Sequence, residues 1–356
     1  MSWAKALPPA RANLARSGIV PCPPALLRLQ PRDFVTQLPP GYGYPPLRAA
    51  IGRRYRVSPE NVLPVPGGTS LANYLACAAV LDGAPRGAEA IVEQPTYEPL
   101  LRIPEAFCCR VRRLLRLFED GYAIDLDRFA ALVTPRTCLA IVSNLHNPSG
   151  VRISPATLRR MASILRRVGA HLLVDEVYME CLFGARTESA VHAGGNVLTA
   201  NSLTKAYGLD GLRAGWILGP ARLVRRAGLI YDLMGVNGVA PGEWMTLAAF
   251  RQLPAIKRRA RALLGPNLRT LRRFLAHERR LTAVVPQGGS VCFPLLPPGL
   301  DPDRLARHLR ERYSTLIVPG RFFEAPRHIR VSFGCDARSL AFGLARLSRA
   351  LNDLLG

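Results

Sequence analysis

Lysine is scarce in this chain: Lys5, Lys205 and Lys257 are the only three, and arginine supplies almost all of the positive charge. Lys205 lies within residues 198–219, LTANSLTKAYGLDGLRAGWILG, three residues after Ser202 and eight before Arg213. Arginine stays protonated in proteins. A lysine kept among apolar residues and hydroxyls therefore points to amine chemistry, as a nucleophile or Schiff-base former with a lowered pKa. Taken alone, Lys205 reads more simply as a solvated surface lysine, so the groups around it must decide.

Those groups stand where apolar segments end. Gly67-Gly68-Thr69-Ser70 opens an Ala-rich helix. Free N–H groups, the helix dipole and two hydroxyls there make a phosphate site, or merely a capped glycine turn. Asp175 and Tyr178 share LLVDEVY at a strand end; a carboxylate among apolar neighbours needs a cation or a donor, unless it only caps a helix. Asn147 in HNPSG is a site residue or an Asn-Pro turn, and Tyr97 in QPTYEP a stacking ring or a core aromatic. Arg330 in the apolar string IRVSFG would need an anionic partner if it faces inward.

The elements that hold these residues follow from pattern. Residues 1–47 are Pro-rich and irregular, an extended arm. Residues 47–55 read as a short helix, and 90–93 as a buried strand closed by Pro95. Residues 139–143, 172–175, 197–201 and 216–218 are apolar strands set between helices. Ser154 with Pro155 starts one helix, whose apolar face is Leu158, Met161, Ala162, Leu165 and Val168 and whose end is Gly169. This alternation predicts an α/β fold with a mainly parallel sheet covered by helices on both faces over residues 48–250. Beyond it, a basic helix interrupted at Gly265-Pro266 leads to short strands at 291–295, 315–318 and 329–333. Helices at 303–313 and 338–354 complete a smaller α+β domain over residues 251–356.

Bulk composition narrows the class. With 356 residues and 49% hydrophobic side chains the chain can bury a large core. It has no run long enough to span a membrane and no signal-like leader, so a cytoplasmic protein is expected. The eight cysteines are scattered without a CxxC pair, which speaks for buried thiols and against metal or disulfide frameworks. The net charge of +23 is spread along almost every helix, so nucleic acid is not expected as a partner.

Taken in order, GGTS, PTY, NPSG, DEVY, SLTKAYGLDGLRAGW and IRVSF resemble the class I/II aminotransferases, fold-type I enzymes of pyridoxal 5′-phosphate (PLP), over roughly residues 13–356. The resemblance implies that Lys205 forms the internal aldimine and later carries the proton at the substrate's Cα. Asp175 would pair with the pyridine nitrogen, Tyr178 and Asn147 would bond the phenolic oxygen, and Tyr97 would stack on the ring. Gly68, Thr69, Ser70, Ser202, Thr204 and Arg213 would hold the phosphate. Arg330 would clamp the substrate α-carboxylate, with Asn147 beside it and the backbone near Gly18 closing over it. A homodimer is implied as well. The chain departs from the family at the tyrosine that reaches the neighbouring subunit: Leu38 stands at that spacing, with Tyr42 and Tyr44 nearby.

The expected function is exchange of an amino group between an L-amino acid and a 2-oxo acid. A PLP-dependent lyase, decarboxylase or cyclase on the same fold is the alternative, with a phosphorylated amino acid as one substrate class. A regulator that kept the fold without activity is disfavoured by the intact Lys205, Asp175 and Arg213.

Overall fold

Apolar side chains that alternate faces along short strands build the centre of the molecule. The computed structural model describes Trp3 and residues 8–33, 36–182 and 187–356; Lys5 lies outside them. The strands are β1 (Ala12–Asn13), β2 (Val62–Pro66), β3 (Glu89–Gln94), β4 (Arg110–Leu115), β5 (Thr137–Ser143), β6 (His171–Asp175), β7 (Val197–Ser202), β8 (Ala214–Leu218), β9 (Val291–Cys292), β10 (Thr315–Leu316), β11 (Val318–Pro319) and β12 (Ile329–Ser332). Among the described residues, β2 to β8 form a seven-stranded sheet in the order β2-β8-β7-β6-β5-β3-β4. The strands from β7 across to β4 run parallel. β8 is antiparallel to both of its neighbours.

Ala90 and Val92 face one apolar cluster with the helices Thr69–Leu81 and Glu98–Ala106, whereas Ile91 between them joins a second cluster with the helix Pro155–Arg166. The sheet is thus covered on both faces, as strands of uninterrupted apolar residues require. The expected start of Pro155–Arg166 holds: the Ser154 hydroxyl accepts a hydrogen bond from the Thr157 amide at 3.0 Å. Strand β4 escaped the sequence pattern because RVRRLL carries three arginines; as a sheet edge, it pairs only through β3 among the described residues.

The remainder packs beside β8. β9, β12 and β11 form an antiparallel three-stranded sheet, so the strand expected over 291–295 is only two residues long. The helices Pro302–Tyr313 and Ala337–Leu355 pack against each other. The expected interruption at Gly265-Pro266 is absent: one helix runs from Leu253 to His277 with Pro266 inside it. Pro266 removes the amide that would bond the Ala262 carbonyl. Both residues are exposed, so water can satisfy that carbonyl. Just beyond, the Asn267 amide donates to the carbonyls of Phe333 (2.8 Å) and Cys335 (2.7 Å) and fastens the helix to the strand end after β12.

The arm is irregular as expected but tied down. β1 pairs parallel with β10. The Ile19 amide donates to the Lys205 carbonyl (3.3 Å), that of Val20 to Gly334 (3.0 Å) and that of Cys22 to Gly208 (2.7 Å). The arm therefore bridges the loop after β7 and the end of β12.

Close backbone approach fixes one more position. Gly215 in β8 lies between Val65 and Ser202. A Cβ there would come within 2.7–3.0 Å of Gly68 backbone atoms. Gly215→Ala is expected to cost about 1–3 kcal/mol through overpacking and to displace the Gly68 turn. Urea denaturation checks it; an unchanged midpoint would contradict it.

Candidate active site

The ends of β2, β5, β6 and β7 open on one side of the sheet, which is where open α/β sheets place ligands. Gly67 and Gly68 turn the chain from β2 into the helix Thr69–Leu81 with φ of 93° and 73°. A side chain at Gly68 would meet Thr204 Cγ2 at 3.0 Å and the Arg213 guanidinium at 3.4 Å. The Thr69 hydroxyl donates to Ser202 Oγ (2.6 Å), and Ser202 in turn lies 2.6 Å from the Thr204 hydroxyl. Arg213, itself in a left-handed conformation, donates to the Gly67 carbonyl at 2.5 Å. Three hydroxyls, a guanidinium and the first turn of a helix thus surround one small space. The first N–H groups of a helix have no intrahelical acceptor, so this cradle suits a phosphate.

Beside the cradle, Ser70 and Tyr97 line the same pocket. Asp175 ends β6 almost fully buried; it accepts from the Asn73 amide (2.8 Å) and the Val177 N–H (3.0 Å) and has no ion pair among the described residues. Burial pushes its carboxyl up to about 6, with Asn73, the Val177 amide and Lys205 opposing and Glu93 adding to the rise. Glu176, the other acid of DEVY, points away and accepts from the Ser189 hydroxyl and the Ala190 amide.

Lys205 donates to the Ser17 hydroxyl at 2.7 Å, and Tyr178 donates to the Ser17 carbonyl at 2.9 Å. Burial, then the positive charges of Arg330 and Arg213, lower Lys205 to about 8 against the pull of Asp210 and Asp175. Arg330 is 7% exposed, reaches Asn147 Oδ1 (3.3 Å) and the Ala15 carbonyl (2.9 Å), and lies 4.9 Å from the Phe323 ring centre. It has no carboxylate partner among the described residues, and its Nε is buried without any partner. Gly18 packs against the Lys205 backbone, where a Cβ would lie 3.3 Å from the Thr204 carbonyl.

The thirteen residues given a site role therefore meet at one pocket: ten line it, and Gly68, Ser202 and Gly18 contact its lining residues. The three residues at the departure from the family lie elsewhere. Tyr42 donates to Asp232 (2.6 Å), Tyr44 stacks near Trp244 with centroids 4.6 Å apart, and Leu38 lies near Gly238.

Sequence reasoning missed Ser17, Asn73 and a buried network behind Asn147. Glu93 accepts from the Ser143 amide (2.7 Å), the Ser143 hydroxyl (2.5 Å) and Arg116 (2.7 Å), and the Ser143 hydroxyl accepts from the Asn147 amide (3.0 Å). His146, kept neutral by burial, is held between the Ser149 hydroxyl and the Pro95 carbonyl. A signal was present: Glu93 directly follows the apolar run Ala90-Ile91-Val92, and Asn73 interrupts the apolar face of an Ala-rich helix.

The family model "Aminotransferase class I and II" matches residues 23–347. The chain belongs to this family. A capreomycidine synthase of Streptomyces vinaceus is 31% identical over 92% of the chain and 84% of its own length. An arginine–pyruvate transaminase of Pseudomonas aeruginosa is 29% identical over 87% and 81%. Among solved structures, a PLP-dependent cyclase, OrfR, superposes with a TM-score of 0.90 at 30% identity over 99% and 96% of the two chains. The protein is accordingly a PLP-dependent aminotransferase of fold type I. Its pocket fits that cofactor: it offers a phosphate cradle, a buried carboxylate without a cation and a buried guanidinium without an anion.

Two measurements on the cofactor-free aminotransferase probe these charges. Lys205 should react with an amine-acylating reagent along a titration centred near pH 8, as peptide mass spectrometry can read among only three lysines. A midpoint near 10.5, the ordinary lysine value, would show that the amine is not desolvated. Asp175 holds its proton more tightly folded than unfolded, so its contribution to stability is full below about pH 4 and is lost as pH rises through about 6. Asp175→Asn should therefore stabilise the cofactor-free protein at pH 8 by up to about 3 kcal/mol. The gain should fade towards pH 4 in urea titrations; a gain independent of pH would refute the assignment.

Proposed function

We propose that this aminotransferase exchanges the amino group of an L-amino acid with a 2-oxo acid, with the pocket residues in the following roles. Bound there, PLP supplies an electron sink for the electrons released when a bond at the substrate's Cα breaks. Gly68, Thr69, Ser70, Ser202, Thr204 and Arg213 hold its phosphate. Asp175 would keep the proton on the ring nitrogen, Tyr178 and Asn147 would hold the phenolic oxygen, and Tyr97 would hold the ring. Lys205 would hold the cofactor and would take and return the proton at the substrate's Cα, a task for an amine whose pKa is lowered to about 8. Arg330, with Asn147, grips the α-carboxylate in a fork, and the Ser17–Gly18 backbone excludes water above it. Over a full cycle one amino group moves from donor to acceptor, and no outside oxidant is needed.

The observation that carries this reading is the convergence of Lys205, Asp175 and the carboxylate-free Arg330 on one pocket. The same proposal includes the division into an arm (1–47), a large domain (48–250) and a small domain (251–356). It also includes a homodimer, because Leu229, Leu233, Met234, Val236 and Val239 stand exposed along one helix end and the segment after it, an apolar patch that a second copy would cover. A reducing, cytoplasmic setting agrees with the eight free cysteines.

A cyclase is the second reading, supported by the names of the capreomycidine synthase and OrfR. The fate of the substrate depends on which Cα bond is broken and on what lies beside it.

The test is the visible spectrum of the PLP-loaded protein while single amino acids, basic ones among them, are added without an oxo acid. The cofactor's band should disappear with a true donor and return when a 2-oxo acid is supplied. A band that persists while ammonia, carbon dioxide or a cyclised product accumulates would replace amino transfer by the second reading. Arg330→Ala should raise KM for all α-carboxylate substrates by a similar factor; an effect on only some of them would make Arg330 a side-chain reader.

A further inference from the structure

The arm meets Lys205 at both ends of the residue. The Ile19 amide donates to the Lys205 carbonyl at 3.3 Å, and the Lys205 amine donates to the Ser17 hydroxyl at 2.7 Å. Between these contacts Gly18 lies against the lysine: a Cβ there would stand 3.8 Å from both Lys205 Cα and Lys205 Cδ. The proposed roles use the backbone of Ser17 and Gly18 to exclude water and leave the Ser17 hydroxyl without a task.

Ser17 is itself anchored through its carbonyl, which accepts from the Tyr178 hydroxyl (2.9 Å) and the Ser290 hydroxyl (2.8 Å). Two residues earlier, the Ala15 carbonyl accepts from Arg330 at 2.9 Å. The Ala15 and Arg16 amides both donate to Asn13 Oδ1 at 3.1 Å. The hydroxyl therefore stands on a backbone held by several hydrogen bonds, and Ser17 lines the pocket together with Lys205. A lysine, by contrast, carries its amine on a flexible four-carbon stem, and an amine that swings loses its aim at a proton. Among the described residues Lys205 has no ion pair, although the charges of Asp210 and Asp175 act on it. The hydroxyl at 2.7 Å is the contact that can aim the amine.

We infer that the Ser17 hydroxyl is a catalytic group, holding the free amine of Lys205 over the substrate's Cα while the proton is taken and given up. The inference rests on the amino-transfer reading above for the existence of that step. The neutral amine takes the proton from Cα and becomes an ammonium, while the electron pair of the broken C–H bond stays with the bound substrate and cofactor. One N–H of the ammonium donates to Ser17 Oγ, and another gives the proton up again. Ser17 does not change its own protonation; it orients the amine and stabilises its charged form. A hydroxyl that merely completed the hydrogen bonds of an idle lysine would leave the speed of this step untouched.

The experiment uses Ser17→Ala, which deletes one oxygen, and Ser17→Thr, which keeps a hydroxyl. In the PLP-loaded proteins, exchange of the Cα hydrogen of acidic, basic and apolar L-amino acids with heavy water is followed by NMR. Ser17→Ala should slow exchange at saturation by about tenfold or more and change KM by less than about threefold. In the cofactor-free proteins, lysines labelled at Cε are titrated by NMR, which is simple in a chain with three lysines. The Lys205 midpoint, at about 8 with Ser17 in place, should fall in Ser17→Ala, because a hydrogen bond from the ammonium favours the charged form. Ser17→Thr should restore both readouts. An unaltered exchange rate in Ser17→Ala, a loss confined to KM, or an unaltered midpoint would each overturn the inference. So would a Ser17→Thr protein that regains the midpoint and stays slow. If the unsubstituted protein exchanges the Cα hydrogen but transfers no amino group, and Ser17→Ala slows that exchange, the inference stands and amino transfer is the reading that fails.

Discussion

Three cations, Lys205, Arg213 and Arg330, crowd one pocket around a single deeply buried carboxylate, Asp175. Like charges in a partly dry space repel, and each group responds according to its chemistry. Lys205, desolvated first and then repelled by the two guanidinium groups, loosens its proton, which places its pKa at about 8. Arginine cannot respond in that way, so Arg330 remains charged and leans on an amide oxygen, a backbone carbonyl and an aromatic ring. The pocket is electrostatically incomplete by itself. In the proposed roles its deficit is met by a phosphate and a carboxylate.

The architecture explains how such a site is sustained. The sheet supplies Asp175 from β6, Ser202 from β7 and, through its reversed strand β8, Arg213 just ahead of Ala214. Arg330 comes from a different sheet. The arm joins the two: Ser17 meets both Lys205 and Tyr178, while Ala15 meets Arg330 and Ser290 donates to the Ser17 carbonyl. A second ring of buried polar groups fixes the first. Glu93, paired with Arg116, sets Ser143, and Ser143 sets the Asn147 backbone. Removing one partner of a buried pair of this kind is generally costly, so such a network holds geometry more than it adds net stability.

Much of this was legible in the residues. Ser154-Pro155 announced a helix start, the apolar strings over 139–143 and 172–175 announced inner strands, and the motifs on Gly68, Asp175, Lys205 and Arg213 announced the pocket. What escaped notice did so for local reasons. β4 hid behind its arginines because an edge strand keeps one side wet. Pro266 looked like a break because nothing in the local sequence shows that the carbonyl it orphans would face solvent.

The sequence by itself determined the strand and helix order, the amine at Lys205 and the kinds of group that accompany it, because periodicity, caps and side-chain chemistry are local properties. Only the tertiary structure decided that Ser17, Asn73 and Glu93 belong to the site. Those relations span from 50 to more than 180 residues along the chain. They are set by how the sheet, the arm and the smaller sheet pack together. Burial, which moves Lys205 and Asp175 towards neutrality, is likewise a property of packing and cannot be read from spacing.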